Sequence, residues 1–453
     1  MIVIIGGGPS GLSAALAASR NGAEVILIDN SPQLGGQYWR HLPSNWGEPR
    51  ATSYNYAKAE IIFTAVVNSP YITPISNAQV WSAEKVGEKI KLNFIQGGKE
   101  NSVLAEKLIL ATGAYDRTLP FPGWQIPGVM TPGSAQSMLK SHGVLVGKKI
   151  VLAGTGPFLL PVATGLADMQ GQVVGIYEVN FPWKWFSTPI ALLRNPKKFK
   201  EAFYYVKKLV RHGVRLRFGY VVRSAHAGKD GTLEYILLSK RGAKNEVRVD
   251  CDIAAIGWGF MPDLSLAGIL GLQQIIARDG TVVVSIDENQ RSSHSNIYAA
   301  GELTGIGGSD LALVEGQIAG LSAIGEAIPR ALLQKRKWLN NFANALIENY
   351  PIPADWMHLL NAETIICRCE EVTLGDIKES VLLLKADSER SSKLMTRAGM
   401  GMCQGRICSR NVMEIVANCL GRKVTEAERI SSSYRPIASP ISLGLLGDGL
   451  MDE

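Results

Sequence analysis

Two sets of residues in this 453-residue chain have the types and spacing to do chemistry. The first is Gly6-x-Gly8-x-x-Gly11, with four apolar β-prone residues before it and an alanine-rich apolar stretch, residues 12–18, after it. That order reads as strand, tight turn and helix. Gly6 permits the turn, Gly8 lets a pyrophosphate approach the backbone, and Gly11 lets the helix pack close to the strand. Pro9 and Ser10 open the helix, whose free amides and positive dipole end face the phosphates. A second apolar run ends in Asp29, 18 residues past Gly11, where a carboxylate can take adenosine ribose hydroxyls. The second set is Cys367-x-Cys369 with Cys403-x-x-x-x-Cys408. Four thiolates in two tight pairs suit a tetrahedral ion or an iron–sulfur cluster. Zinc ribbons mostly use wider pairs, so the C-x-C spacing favours a 2Fe–2S cluster over structural zinc or free thiols. Arg406 and the small residues around it can supply donors to the sulfurs. Cys251 and Cys419 lie apart and read as core cysteines.

These residues need elements to hold them. Asn30 adjoins Asp29, and Gly36 and Gln37 lie in a sharp loop just beyond, beside the expected cofactor. Val80 belongs to a run of alternating apolar residues that reads as a strand of the same domain. A buried strand from Lys107 ends in Ala111-Thr112-Gly113, small residues where a strand must pass a cofactor closely. Far downstream, Gly301-Glu302, Gly305, Gly307 and Gly308 precede a helix from Asp310 through Gln317. Gly301, Glu302 and Gln317 therefore complete one flavin site from a second piece of sequence. No cysteine lies between Met1 and Asp250, which excludes a redox cysteine pair beside the flavin. Tyr38 and His41 sit near the flavin ring or in a surface aromatic cluster. Arg40 and Arg117 are the arginines nearest these motifs, and no second signal of a substrate cage accompanies them. No catalytic residue is assigned.

Proline-rich sequence at 119–123 marks a linker. Beyond it a second unit repeats the pattern with a departure: Gly154-x-Gly156-x-x-Leu159, then a strand ending in Glu178. Leu159 stands where the third glycine belongs. Glu178 would accept a 2′-hydroxyl and repel a 2′-phosphate, so Gly154, Gly156 and Glu178 suit NAD or another adenosine nucleotide better than NADP. A structural or alternate-nucleotide role is favoured over nicotinamide turnover. Residues 181–223 form a basic, aromatic insertion: an amphipathic helix packed on its own domain, or a partner- or membrane-facing surface. The strand 251–257 reads as returning the chain to the first domain. The expected division is 1–118 and 251–330 for the FAD-binding domain, 119–250 for an inserted NAD-type domain, and 331–453 for an iron–sulfur domain.

Composition sets bounds. With 46% hydrophobic and 19% charged residues, the chain is globular and has ample core for several domains. A net charge of +7 permits a nucleic-acid partner, but no basic tail or nucleic-acid module is present, so no such partner is expected. The longest apolar run, residues 150–167, contains Gly154, Gly156, Pro157 and Pro161 and reads as strand and helix, not a membrane span. No signal peptide is expected ahead of the first strand. The expected location is the cytoplasm, peripheral to the inner face of a membrane at most.

Several stretches together carry a resemblance: Ala111-Thr-Gly-Ala-Tyr-Asp-Arg117, Pro120-Phe-Pro-Gly-Trp124, Pro127-Gly-Val-Met-Thr131, the Gly154–Leu160 turn and the terminal Cys-Gln-Gly-Arg-x-Cys. The chain resembles the alpha-type subunits of bacterial opine oxidases and of hydroxyproline and proline dehydrogenases, together with one component of hydrogen cyanide synthase. The resemblance implies an α/β flavoprotein with a glutathione-reductase-like pair of three-layer Rossmann-type domains. It also implies a small C-terminal 2Fe–2S domain similar to bacterioferritin-associated ferredoxin. It further implies a heteromeric enzyme in which a beta subunit similar to D-amino-acid oxidase oxidises a small amine, with a small ferredoxin-like gamma subunit joining them as a further partner. The expected function is an electron-transferring subunit in which FAD handles electron pairs and the cluster single electrons. The alternatives are a free-standing NAD(P)H-dependent reductase and a scaffold whose nucleotide only stabilises the fold.

Overall fold

The computed structural model describes residues 1–43, 54 and 56–449. The chain forms two compact units. One comprises Met1–Tyr115, Met261–Ala345 and Ser433–Glu453; the other comprises Asp116–Phe260 and Leu346–Ser432.

In the first unit, strand Ile2–Ile5 lies between Val25–Ile28 and Lys107–Leu110, with Ile297–Ala299 and Ile72–Ile75 at the edges. All pairings are parallel. The unbroken apolar runs fit this position, because a parallel sheet is covered on both faces. One cover is the helix pair Pro9–Ala18 and Ser309–Ala323. The pair approaches closely because of two glycines. A Cβ on Gly316 would overlap the Ser10 carbonyl, and one on Gly320 would overlap that of Ala14. The other face meets an antiparallel meander of Ala78–Val86, Lys89–Gln96 and Lys99–Ala105.

In the second unit, the parallel order is Arg215–Phe218, Gln172–Glu178, Lys149–Gly154, Ile253–Gly257, Val129–Met130. Here the sequence expectation is corrected. Ile253–Gly257 does not return the chain to the first domain but pairs with Lys149–Gly154. It is a short apolar run ending in glycine, as is the strand before Gly113, and such runs look alike whichever sheet they join. A three-stranded antiparallel sheet, Tyr220–Ala227, Leu233–Lys240 and Glu246–Asp250, completes this part.

The cysteine-bearing segment belongs to the same unit. Its short hairpin, Ile365–Cys367 with Val372–Thr373, and its helices Leu374–Leu382 and Ser409–Cys419 share one hydrophobic core with the nucleotide-type sheet. The Trp124 indole donates to the Ile365 carbonyl at 2.6 Å, and the Asn411 amide donates to that of Thr118 at 3.2 Å.

Candidate functional site

The first fingerprint does what its glycines allow. Gly6 has φ +104°, and a Cβ on Gly11 would overlap the Gly6 carbonyl, so the helix sits directly on the strand end. The helix Pro9–Ala18 has Gly8 at its N-cap, no side-chain cap and no acid in its first turn, so its leading amides carry no internal anion. Around Gly8 there is room: an added Cβ would meet only the Gly36 Cα, at 3.8 Å. Gly36 itself lies in the left-handed region at φ +57°, and its loop is held to the turn by the Gly35 amide donating to the Gly7 carbonyl at 2.8 Å. The Ser10 hydroxyl is buried with no hydrogen-bond partner among the described residues. An uncapped helix start, an open glycine and an orphaned hydroxyl are the fittings of a phosphate cradle.

Asp29 is buried at the end of Val25–Ile28. Its carboxylate accepts the Gly7 amide and, at 2.7 Å, the Ser31 amide. The acid thus braces the turn. Asn30 is exposed, and Gln37 accepts from Arg40 at 2.6 Å. After Lys107–Leu110, Ala111 is buried, Thr112 donates to the Asp263 carbonyl at 2.8 Å, and Gly113 has φ +75° with open space around it. Val80 is part of the hydrophobic core under the meander. His41 and Tyr38 belong to an aromatic cluster with Trp39, Tyr56 and Phe63.

The downstream half is anchored by two acids. Glu302 accepts the Gly307 and Gly308 amides at 3.0 and 2.8 Å, shaping the glycine loop that leads into Ser309–Ala323. Desolvation pushes its carboxyl up to about 7. Gln317 lies on that helix, partly exposed. Glu315, which sequence reasoning missed, accepts the Gly301 amide at 3.0 Å and the Thr304 hydroxyl at 2.9 Å, and it pairs with Arg336 at 3.3 Å. Burial raises its pKa. A carboxylate inside an otherwise apolar helix stretch was the available signal.

The second fingerprint differs in the way its sequence differs. Gly154 keeps the tight turn at φ +123°, and a Cβ there would overlap the Gly257 carbonyl. The following helix, however, runs Leu159–Asp168, two residues later in the pattern than its counterpart at Pro9. Glu178 is buried, which raises its pKa, and its oxygens accept the Gly156 amide at 2.8 Å and the Asn180 amide at 2.9 Å. Asn180 also donates to Thr155 at 2.8 Å and to the Pro351 carbonyl at 3.0 Å, and Thr155 donates to the Tyr350 carbonyl at 3.3 Å. The chain's own residues 350–351 are therefore bonded to this turn and to Asn180, just past the strand end that carries Glu178. Asn180 and the 350–351 segment have no local sequence signature and were not foreseen.

The four predicted cysteines come together. Cys408 lies beside Cys367 and Cys403, and Cys403 beside Cys369. The neighbouring thiols and backbone amides, including that of Gly399 at 3.4 Å from Cys367 Sγ, bring Cys367 down to about 6 and Cys403 down to about 5, while Cys408, beside those two sulfurs, and Cys369, desolvated, are pushed up. Thiolates are the form that ligates iron. A Cβ on Gly401 would overlap that of Cys369, so this glycine is what lets the two cysteine loops meet. Arg406 donates to the Cys403 carbonyl at 3.3 Å. Among the described residues, no three His, Cys, Asp or Glu side chains are arranged to hold a single metal ion. Cys251 is buried in the core of the second unit, as read from the sequence. Arg117 faces Glu414 at 3.9 Å, which Arg410 and Arg429 also approach at 3.2 and 3.5 Å.

Comparison with known proteins agrees with this geometry. The family described as pyridine nucleotide-disulphide oxidoreductase matches residues 1–319, and the BFD-like [2Fe-2S] binding domain matches residues 365–418. The chain belongs to the pyridine nucleotide-disulphide oxidoreductase family and carries a BFD-like 2Fe–2S domain at its C-terminal side. It is a flavin-dependent oxidoreductase with FAD and a 2Fe–2S cluster as cofactors. It is 31% identical to the HcnB subunit of hydrogen cyanide synthase from Pseudomonas protegens, over 93% of this chain and 92% of that one. It is likewise 31% identical to the A-type subunit of opine oxidase from Rhizobium meliloti, over 96% and 86%. The L-proline dehydrogenase structure from P. horikoshii shares the fold, with a TM-score of 0.70 over 98% of this chain and 78% of that one at 21% identity. No helix among the described residues is long and apolar enough to cross a membrane.

Proposed function

We propose that this chain is the electron-transferring subunit of a heteromeric amine or imino-acid dehydrogenase of the opine oxidase or proline dehydrogenase type. One observation carries the reading: an uncapped glycine turn at Gly6–Gly11 and four neighbouring cysteines, Cys367, Cys369, Cys403 and Cys408, occur in a single chain whose relatives over nearly its whole length are named as enzyme subunits. FAD supplies two-electron exchange and a 2Fe–2S cluster one-electron exchange, so a chain holding both converts one into the other. Gly8 and the first-turn amides would hold the pyrophosphate, Asp29 would brace that turn on the adenosine side, and the four cysteines would hold the iron. The partner that oxidises the amine is a beta subunit similar to D-amino-acid oxidase, and a small ferredoxin-like gamma subunit completes the assembly.

The competing reading is an NAD(P)H-dependent reductase working through the second turn. The late helix start at Leu159 and the bonds from Thr155 and Asn180 to residues 350–351 speak against it. Anaerobic stopped-flow mixing with NADH tests the choice. Flavin bleaching should be slower than about 1 s⁻¹; bleaching at enzyme-like rates above that would favour the reductase.

A further inference from the structure

The insertion at 181–223 turns apolar side chains outward. Trp183 and Phe186 on the turn Pro182–Ser187, Ile190 and Leu193 on the short helix Pro189–Leu193, and Phe199, Phe203 and Val210 on the helix Pro196–Arg211 are all exposed, Phe186 by 86% and Leu193 by 80%. The long helix is attached through one face only, where Tyr205 and Leu209 are buried. At about 100° per residue, Phe199, Phe203 and Val210 fall within about 40° of one another, as one stripe beside the buried face. Lys200, Lys207 and Arg211, all exposed, form a second stripe about 80° further round. The helix carries six basic residues and one acid, Glu201, which pairs with Lys198 at 3.0 Å.

This is a poor surface to leave in water and an unusual one for a protein partner. Protein interfaces favour aromatics and arginine but are depleted in lysine. An interfacial helix instead sets Trp, Phe and Leu beside a lysine-rich face, with the apolar stripe in the acyl boundary and the lysines among anionic headgroups. We propose that the turn and two helices of residues 182–211 dock this protein on the surface of an anionic phospholipid bilayer. The attachment is peripheral: the apolar side chains insert and the basic stripe selects negative charge.

The test is co-sedimentation of the full, cofactor-loaded chain with vesicles. Binding is expected to vesicles containing phosphatidylglycerol, to be much weaker with pure phosphatidylcholine, and to weaken in ~1 M salt, where the screening length is about 3 Å. The variant Phe186→Ser/Leu193→Ser/Phe203→Ser changes exposed positions, so it should keep its melting temperature and flavin content while losing at least about tenfold in vesicle affinity. Lys200→Glu/Lys207→Glu should abolish the preference for anionic lipid. Failure of the parent chain to sediment with anionic vesicles, or equal sedimentation of the triple variant, would overturn the proposal. So would the finding that the triple variant loses a co-expressed protein partner while vesicle binding is unchanged, since the surface would then be a protein interface.

Discussion

Gly8 and Gly11 are three residues apart, and they do different work. Gly11 is packed against the Gly6 carbonyl, whereas Gly8 faces open space. Gly8→Val should therefore fold and lose FAD, while Gly11→Ala should damage the fold itself. The check is flavin released on denaturation, read beside the melting curve; full FAD occupancy in the Gly8 variant would contradict the cradle. Glu302 gives a pH prediction. Its carboxyl is pushed from 4.5 to about 7 in the folded chain, so the folded state holds a proton that the unfolded state releases. Its contribution to stability is full below about 4.5 and is lost as pH rises through about 7. In Glu302→Gln, thermal stability should decline less over that window, even though the absolute value falls because the Gly307 or Gly308 amide loses its acceptor. An unchanged slope would show that Glu302 does not titrate there.

At the scale of elements, the helix contact between Pro9–Ala18 and Ser309–Ala323 depends on missing side chains. Gly316→Ala would drive a Cβ into the Ser10 backbone, which cannot rotate away. The expected loss is about 1–3 kcal/mol of stability, measured by denaturant unfolding of the FAD-free chain; a neutral result would mean the helices can part without cost. This contact also separates what was legible in the sequence from what was not. The Gly6–Gly11 turn, the strand before Gly113, the helix after Gly308 and the four grouped cysteines all announce themselves, because residue type and local spacing carry their geometry. Gly316 and Gly320 lie inside a run that reads only as apolar helix, and Glu315 is marked there by its charge alone. The sheet joined by Ile253–Gly257, the bond from Trp124 to Ile365 and the seating of residues 350–351 on Thr155 and Asn180 are long-range pairings, and no local periodicity encodes them.

For the whole molecule, the cluster domain is not a free appendage. Cys367 and Cys408 lie in the same hydrophobic core as Val151, Ala254 and Trp258 of the nucleotide-type sheet. The second Rossmann-type domain thus has a structural use as the bed of the cysteine-bearing segment, whether or not it takes a nucleotide. Of the arginines nearest the flavin motifs, Arg117 is drawn to Glu414, and Arg40 donates to Gln37. A flavin amine oxidase needs a pocket with a group to hold the substrate carboxylate, and on the function proposed above that role falls to a partner. The decisive measurement is turnover of opines, proline, hydroxyproline and glycine with an artificial acceptor, using this chain loaded with FAD and iron, alone and with the proposed beta-type partner. The account predicts little or no turnover by the chain alone and turnover on adding the partner; comparable turnover by the isolated chain would contradict it.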